Sequence, residues 1–181
     1  EQLERLREKW KSEGRPELKA RIGLNTGPMI VGNMGSSTRF DYTVMGDAVN
    51  LASRLEGVNK QYSTSIMTSE FTLELCKSDI VAREIDLIRV KGKVEPVRIY
   101  EVLARSNDGL PDESKSVAEH YSSGLQAYRS KEWKRGIEEF RRALSIKPDD
   151  GPSLTYLKRC EEYLQSSPPD DWDGVYVMTT K

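Results

Sequence analysis

The hydrophobic period of this chain changes once, and that change limits what it can fold into. Before residues 104–113 (ARSNDGLPDE), short apolar–polar alternations are interleaved with helical stretches; after them, apolar residues recur only at helical spacing. Alternation in steps of two makes half-buried strands, and recurrence in steps of three and four makes amphipathic helices. The polar, Gly- and Pro-containing segment between them has the composition of a linker. The chain therefore reads as an α/β part over 1–103, a linker over 104–113, a helical tail over 114–165 and an irregular end over 166–181.

Within the first part, Leu3, Leu6 and Trp10 place a helix over 1–12, stopped by Gly14 and Pro16. Lys19–Asn25 alternates as a strand does, Thr26-Gly27-Pro28 signals a turn, and Met29–Gly32 predicts a second strand, so the two are expected to pair as a hairpin. Residues 35–38 (GSST) read as a loop and Phe40–Met45 as a strand. Val49, Ala52 and Leu55 predict a helix over 47–56, with Asp47 suited to its N-terminal dipole and Gly57 ending it. A short strand at 65–67, a helix over 70–76 capped by Ser69, and strands at 80–90 and 97–103 complete the α/β part. In the tail, Val117, Tyr121, Leu125 and Tyr128 mark one helix and Trp133, Ile137, Phe140 and Leu144 a second. Pro148 closes that pair, a third helix covers 152–164, and one short extended piece is predicted at 175–178.

Composition excludes some classes. Net charge is -1 and pI about 6.0, which gives no bulk attraction to nucleic acid, and no nucleic-acid partner is expected. Cys76 and Cys160 share no metal or redox spacing, and a reducing, cytoplasmic setting fits them. No apolar run is long enough for a membrane span. The chain starts without Met and inside a helical pattern, which reads as the edge of a longer protein.

The segment Phe40–Leu55 (FDYTVMGDAVNLASRL) offers the most chemistry. Asn50 and Arg54 are one helical turn apart and share a face. A guanidinium can grip phosphate oxygens, an amide can orient a sugar or a phosphate, and Thr43 on the preceding strand could meet a base edge. Lys91 and Lys93 flank Gly92, where an anion can come close to the backbone. On spacing alone, Asn50 and Arg54 read first as a helix-surface pair, and the lysines as a solvated turn.

Three blocks, RIGLNTGPMIVGNMG (21–35), DYTVMGDAVNLASRLE (41–56) and RVKGKVEPVRIYEV (89–102), resemble class III adenylate and guanylate cyclases in order and spacing over residues 19–103. The resemblance implies a ferredoxin-like α+β fold lacking its N-terminal part, working as a head-to-tail dimer with active sites at the interface. It implies that Asn50 orients the ribose, that Arg54 stabilises charge on the α-phosphate, and that Lys91, with Lys93 beside it, meets the terminal phosphates. Loss of one such preorganised donor costs roughly 10²–10³ in rate. Thr43 falls where the family reads the purine, and leans toward ATP; guanylate cyclase is the close variant. The implied reaction joins the ribose 3′-hydroxyl to the α-phosphate with pyrophosphate leaving, assisted by Mg²⁺ or Mn²⁺.

The two metal-binding aspartates of the family lie upstream of the matched blocks and are absent from this sequence. Gly46-Asp47 belongs to the later helix block. The chain is therefore expected to be a fragment, inactive alone, with exposed sheet edges and a swapped or rearranged dimer as the consequence. Asp41, Tyr42 and Asp47 read as structural, as do Gly23, Gly27, Gly32 and Gly35. In the tail, Gly124, Phe140, Ala143 and Pro148 resemble a tetratricopeptide repeat, with Gly136 where Ala is usual, which suggests a protein partner or a structural cap. The lone histidine, His120, reads as surface or packing. A non-catalytic, cyclase-like interaction module is the alternative to an enzyme.

Overall fold

A computed structural model describes residues 2–36, 39–89, 95–169 and 171–177. In chain order the elements are α1 (Gln2–Ser12), β1 (Ile22–Leu24), β2 (Ile30–Ser36), β3 (Arg39–Met45), α2 (Asp47–Tyr62), β4 (Ile66–Ser69), α3 (Glu70–Cys76), β5 (Ile80–Arg89) and β6 (Val97–Arg105). They are followed by α4 (Asp112–Arg129), α5 (Trp133–Ile146), α6 (Gly151–Gln165) and β7 (Tyr176–Val177). The result is the expected mixed α/β fold with a helical tail. Strands β1-β4-β6-β5-β7 form one sheet in that order, and β2-β3 form a separate two-stranded ribbon.

The expected hairpin between the first two strands does not form. β1 pairs in parallel with β4, Ile22 opposite Ile66, while β2 pairs antiparallel with β3 from Ile30↔Met45 to Ser36↔Arg39. Gly23 shows why β1 is held elsewhere: a Cβ there would lie 2.2 Å from the Ala52 carbonyl oxygen and 2.4 Å from the Glu56 nitrogen, so the strand lies directly on the α2 backbone. The buried Asn59 side chain donates to the Ile22 carbonyl at 2.9 Å and the Ile22 N–H donates to the Ser65 carbonyl at 2.8 Å. Part of the predicted 35–38 loop is strand, because β2 runs through Ser36.

Helix α2 also runs past its predicted end at Gly57, to Tyr62. Its buried stripe continues through Val58, Asn59 and Tyr62 beyond Leu51 and Leu55, so stopping at Gly57 would forfeit that burial. The stop is Ser63, left-handed at φ 53, whose N–H returns to the Asn59 carbonyl. Ser69 caps α3 as predicted, accepting from the Thr72 N–H at 3.4 Å.

The tail shares one core with the sheet. Tyr62, Ile85, Ile88 and Ile99 from the α/β part and Phe140 and Tyr156 from the tail belong to a single buried cluster. Helices α4 and α5 meet where Gly124 faces Phe140; a Cβ at Gly124 would sit 2.7 Å from the ring. At Gly136 a Cβ would lie 2.9 Å from the Cys160 sulfur, so α6 leaves no room for alanine there. The tail is anchored by buried charge as well. Arg83 on β5 donates to Asp150 at 2.6 and 3.2 Å and to Glu101 at 2.7 Å. Past α6, Trp172 packs against Tyr128 and Trp133 at ring separations of 5.2 and 5.5 Å, and β7 pairs in parallel with the end of β5.

Candidate active site

The β3–α2 junction builds the candidate site. Thr43 stands exposed on β3, opposite Gly32 of β2. β3 runs through Gly46 straight into α2, and the Asn50 N–H closes the first turn on the Gly46 carbonyl at 3.1 Å. Because Leu51, Leu55, Val58 and Tyr62 turn one face of α2 inward, Asn50 is left exposed and Arg54 half-buried. Asn50 and Arg54 thus lie one turn apart along the flank of a helix whose adjoining face is anchored in the core. A polar face so held, with a cationic fork at Arg54, can present donors to an anionic ligand. Lys91 and Lys93 lie outside the described residues.

One positioning residue escaped the sequence reading. Asn25, at the end of β1, donates to the Ala48 carbonyl in the first turn of α2 at 2.9 Å. Its amide oxygen accepts from the Ser69 hydroxyl at 2.6 Å. It thereby ties the start of α2 to the β4–α3 junction. The available signal was an amide placed between an apolar strand and the Thr26-Gly27 turn, where such side chains bond neighbouring backbone.

A cavity of about 360 Å³ lies between β5 and α4, away from this junction. It is lined by Arg83, Glu84, Tyr121 and Arg129 and by none of Thr43, Asn50 or Arg54. Its charges already serve the fold: Glu84 accepts from Arg129 at 2.6 Å and pairs with Arg98 at 3.1 Å. Among the described residues no group of three or more His, Cys, Asp or Glu side chains could hold a metal ion. Among them, too, no helix is long and apolar enough to cross a membrane. His120 is a packing residue, with Nδ1 at 2.8 Å from Glu139.

Residues 2–104 match the family model for the adenylate and guanylate cyclase catalytic domain. The chain belongs to that family. Over 148 residues it is 34% identical to the terminal-differentiation-specific adenylate cyclase of Dictyostelium discoideum, covering 80% of this chain and 7% of that protein. Over 103 residues it is 41% identical to adenylate cyclase 1 of Rhizobium meliloti, covering 57% and 16%. The crystal structure of the adenylyl cyclase CyaB from P. aeruginosa is similar at 39% identity and a TM-score of 0.50, covering 60% of this chain and 55% of that one. The chain thus spans 7% and 16% of the two curated relatives' lengths. A match of 148 residues cannot be contained in residues 2–104, so the likeness to the Dictyostelium protein continues from the cyclase domain into the helical tail.

Proposed function

We propose that this cyclase domain is part of an adenylate cyclase that makes 3′,5′-cyclic AMP and pyrophosphate from ATP. The observation that carries the reading is the β3–α2 junction, where the cyclase-like block 41–56 forms one strand-to-helix unit in which Thr43 and Asn50 are exposed and Arg54 half-buried. In this reading Thr43 meets the purine, Asn50 the ribose and Arg54 the α-phosphate, with Lys91 and Lys93 on the terminal phosphates. Arg54 is the group on which turnover depends most, because charge develops at the α-phosphate as the 3′-oxygen attacks. Mg²⁺ or Mn²⁺ would be held by residues outside this chain. The resemblance to relatives named adenylate cyclases, together with Thr43, favours ATP over GTP.

We further propose that the active unit is a homodimer. Val31, Phe40 and Tyr42, which the pairing puts on one face of the ribbon, are 50%, 64% and 76% exposed, and a contiguous exposed apolar face of this kind suits an interface. A reducing, cytoplasmic setting accords with the free thiols at Cys76 and Cys160. The division into a cyclase part over 1–103 and a tail over 114–165 is retained, and the α4–α5 hairpin crossing at Gly124 and Phe140 supports a tetratricopeptide-like reading of the tail. A protein partner for that tail is part of the proposal.

The test is cyclic nucleotide formation with Mn²⁺ and either ATP or GTP, by this chain alone and by the full-length protein. Activity in the full-length protein alone, with ATP preferred, is the expected result. Activity of the isolated chain would mean that it holds its own metal site and overturn the account of the fragment. Preference for GTP would move the assignment to guanylate cyclase, and silence in both would favour a non-catalytic interaction module.

A further inference from the structure

We propose that helix α6 of the tail is a clamp on helix α2, holding the helix that carries Asn50 and Arg54 in register with the sheet. Two contacts of α6, eight residues apart in sequence, carry the inference. At its first residue, a Cβ on Gly151 would lie 2.0 Å from the Tyr62 carbonyl oxygen and 2.7 Å from the Ser63 Cβ, so the start of α6 rests directly on the end of α2. The preceding residue, Asp150, caps α6 by accepting from the Ser153 N–H at 3.2 Å and the Ser153 hydroxyl at 2.6 Å, while gripping Arg83. At Arg159, the guanidinium donates to Asp86 at 2.9 Å and to the Tyr62 hydroxyl at 3.0 Å. The Tyr62 hydroxyl itself donates to Asp86, so α2, β5 and α6 meet in one buried triad. The Arg159 guanidinium lies over the Tyr156 ring at 4.8 Å and the Tyr62 ring at 5.6 Å.

The strand beneath is shaped for this. Arg83 and Asp86 are three residues apart, and a regular strand would point them to opposite faces. The register shift between Glu84 and Asp86 supplies the extra residue that lets both meet α6. Asp86 and Asp150 are each 1% exposed, so neither carboxylate can exchange its partner for water without opening the joint. Helix α2 is thus held at its start by Asn25, along its length by β1 and at its end by α6. Arg159, Asp86, Asp150 and Gly151 are positioning residues, since none lies at the β3–α2 junction. The similarity to the Dictyostelium cyclase that runs past the catalytic domain into the tail is what such a dependence would leave behind.

The clamp rests on these contacts alone, whereas its effect on turnover rests on the cyclase reading of Arg54. Both are tested in the full-length protein with Arg159→Gln, against Ile137→Val or Ile137→Ala on α5, whichever matches it in melting temperature. Hydrogen exchange in peptides covering 47–56 should rise at least about threefold in Arg159→Gln and stay unchanged in the control. A rise confined to α6, or shared equally by the control, overturns the clamp. In the cyclase assay, kcat should fall at least about tenfold with KM for the nucleotide within about twofold, the signature of a transition-state contact displaced rather than of binding lost. Arg159→Lys, which keeps the charge without the fork, should recover part of it. An unchanged kcat, or a loss matched by the control, overturns the positioning role. A full-length protein that makes no cyclic nucleotide before substitution would sink the cyclase reading, while the exchange comparison would still decide the clamp.

Discussion

Two aromatic regions of this chain end in opposite circumstances. On the ribbon β2–β3, Phe40 and Tyr42 stand 64% and 76% exposed; in the tail, Phe140 and Tyr156 are fully buried. Residues of the same type thus do different work. The tail rings close a core with the sheet, each favourable ring pair adding about 0.5–1.5 kcal/mol beyond its burial. The ribbon rings contribute little to the folding of one copy, and in the proposed dimer they would meet the partner's surface. Stability therefore resides on the α6 side of α2, and the candidate chemistry on the open side that leads to the ribbon.

The largest expected difference comes from shortening the same residue in both regions. Phe140→Ala should destabilise the chain by about 3–5 kcal/mol in denaturant unfolding, because its cavity lies between α4, α5 and α6. Phe40→Ala should change stability by no more than about 0.5 kcal/mol in dilute solution, while weakening self-association measured by sedimentation. A loss at Phe40 as large as at Phe140 would erase the contrast.

The next effect is a pH response confined to the buried side. Burial, reinforced by Asp86, raises the Tyr62, Tyr121 and Tyr156 phenols well above their ordinary value, and burial pushes the Cys160 thiol from 9.0 to about 12. These groups are held neutral, so their contribution is complete below their unfolded values and is lost as pH rises through the folded ones. Melting temperature should therefore fall steeply between about pH 9 and 12. At the acid end the sign reverses for Asp150. Burial alone would raise its carboxyl, but the Arg83 hydrogen bonds outweigh burial and hold it below 3.8. Its contribution is present above that unfolded value and is lost as pH falls through the folded one. Asp150→Asn should flatten that part of the acid profile, and an unchanged slope would remove Asp150 from the account. Glu101 opposes it, its carboxyl being raised by burial despite Arg83.

The smallest effect is chemical. Cys76 is partly accessible and Cys160 fully buried beneath Gly136. A thiol reagent should label Cys76 in the native chain and reach Cys160 only on unfolding. Equal labelling rates would show that α6 opens readily and would argue against a tight tail.

The helices and most strands were legible because their apolar spacing coincides with what is buried: α4 to α6 and β5 and β6 lie close to where Tyr121, Phe140 and Ile85 place them. The pairing partner of β1 was not, since short range favoured the neighbouring β2, and the contact that decides it, Gly23 on the Ala52 and Glu56 backbone, joins residues about thirty apart. The end of α2 was misjudged for a related reason. Gly57 lowers helix propensity, but burial of Val58 and Tyr62 beyond it decides the outcome. At the candidate site, Thr43, Asn50 and Arg54 could be singled out because the block that carries them is contiguous. Asn25 could not, because its partners Ala48 and Ser69 lie far along the chain. The buried joint of Arg83, Asp86, Asp150 and Arg159 was equally hidden, since charged residues in a sequence read first as solvated.

The most direct test of the central claim is the turnover of ATP by the full-length protein carrying Arg54→Ala. The account predicts a fall of roughly 10²-fold or more in kcat, with the melting temperature unchanged. A fall of less than about threefold would contradict the role of Arg54, and with it the reading of the β3–α2 junction as the active site.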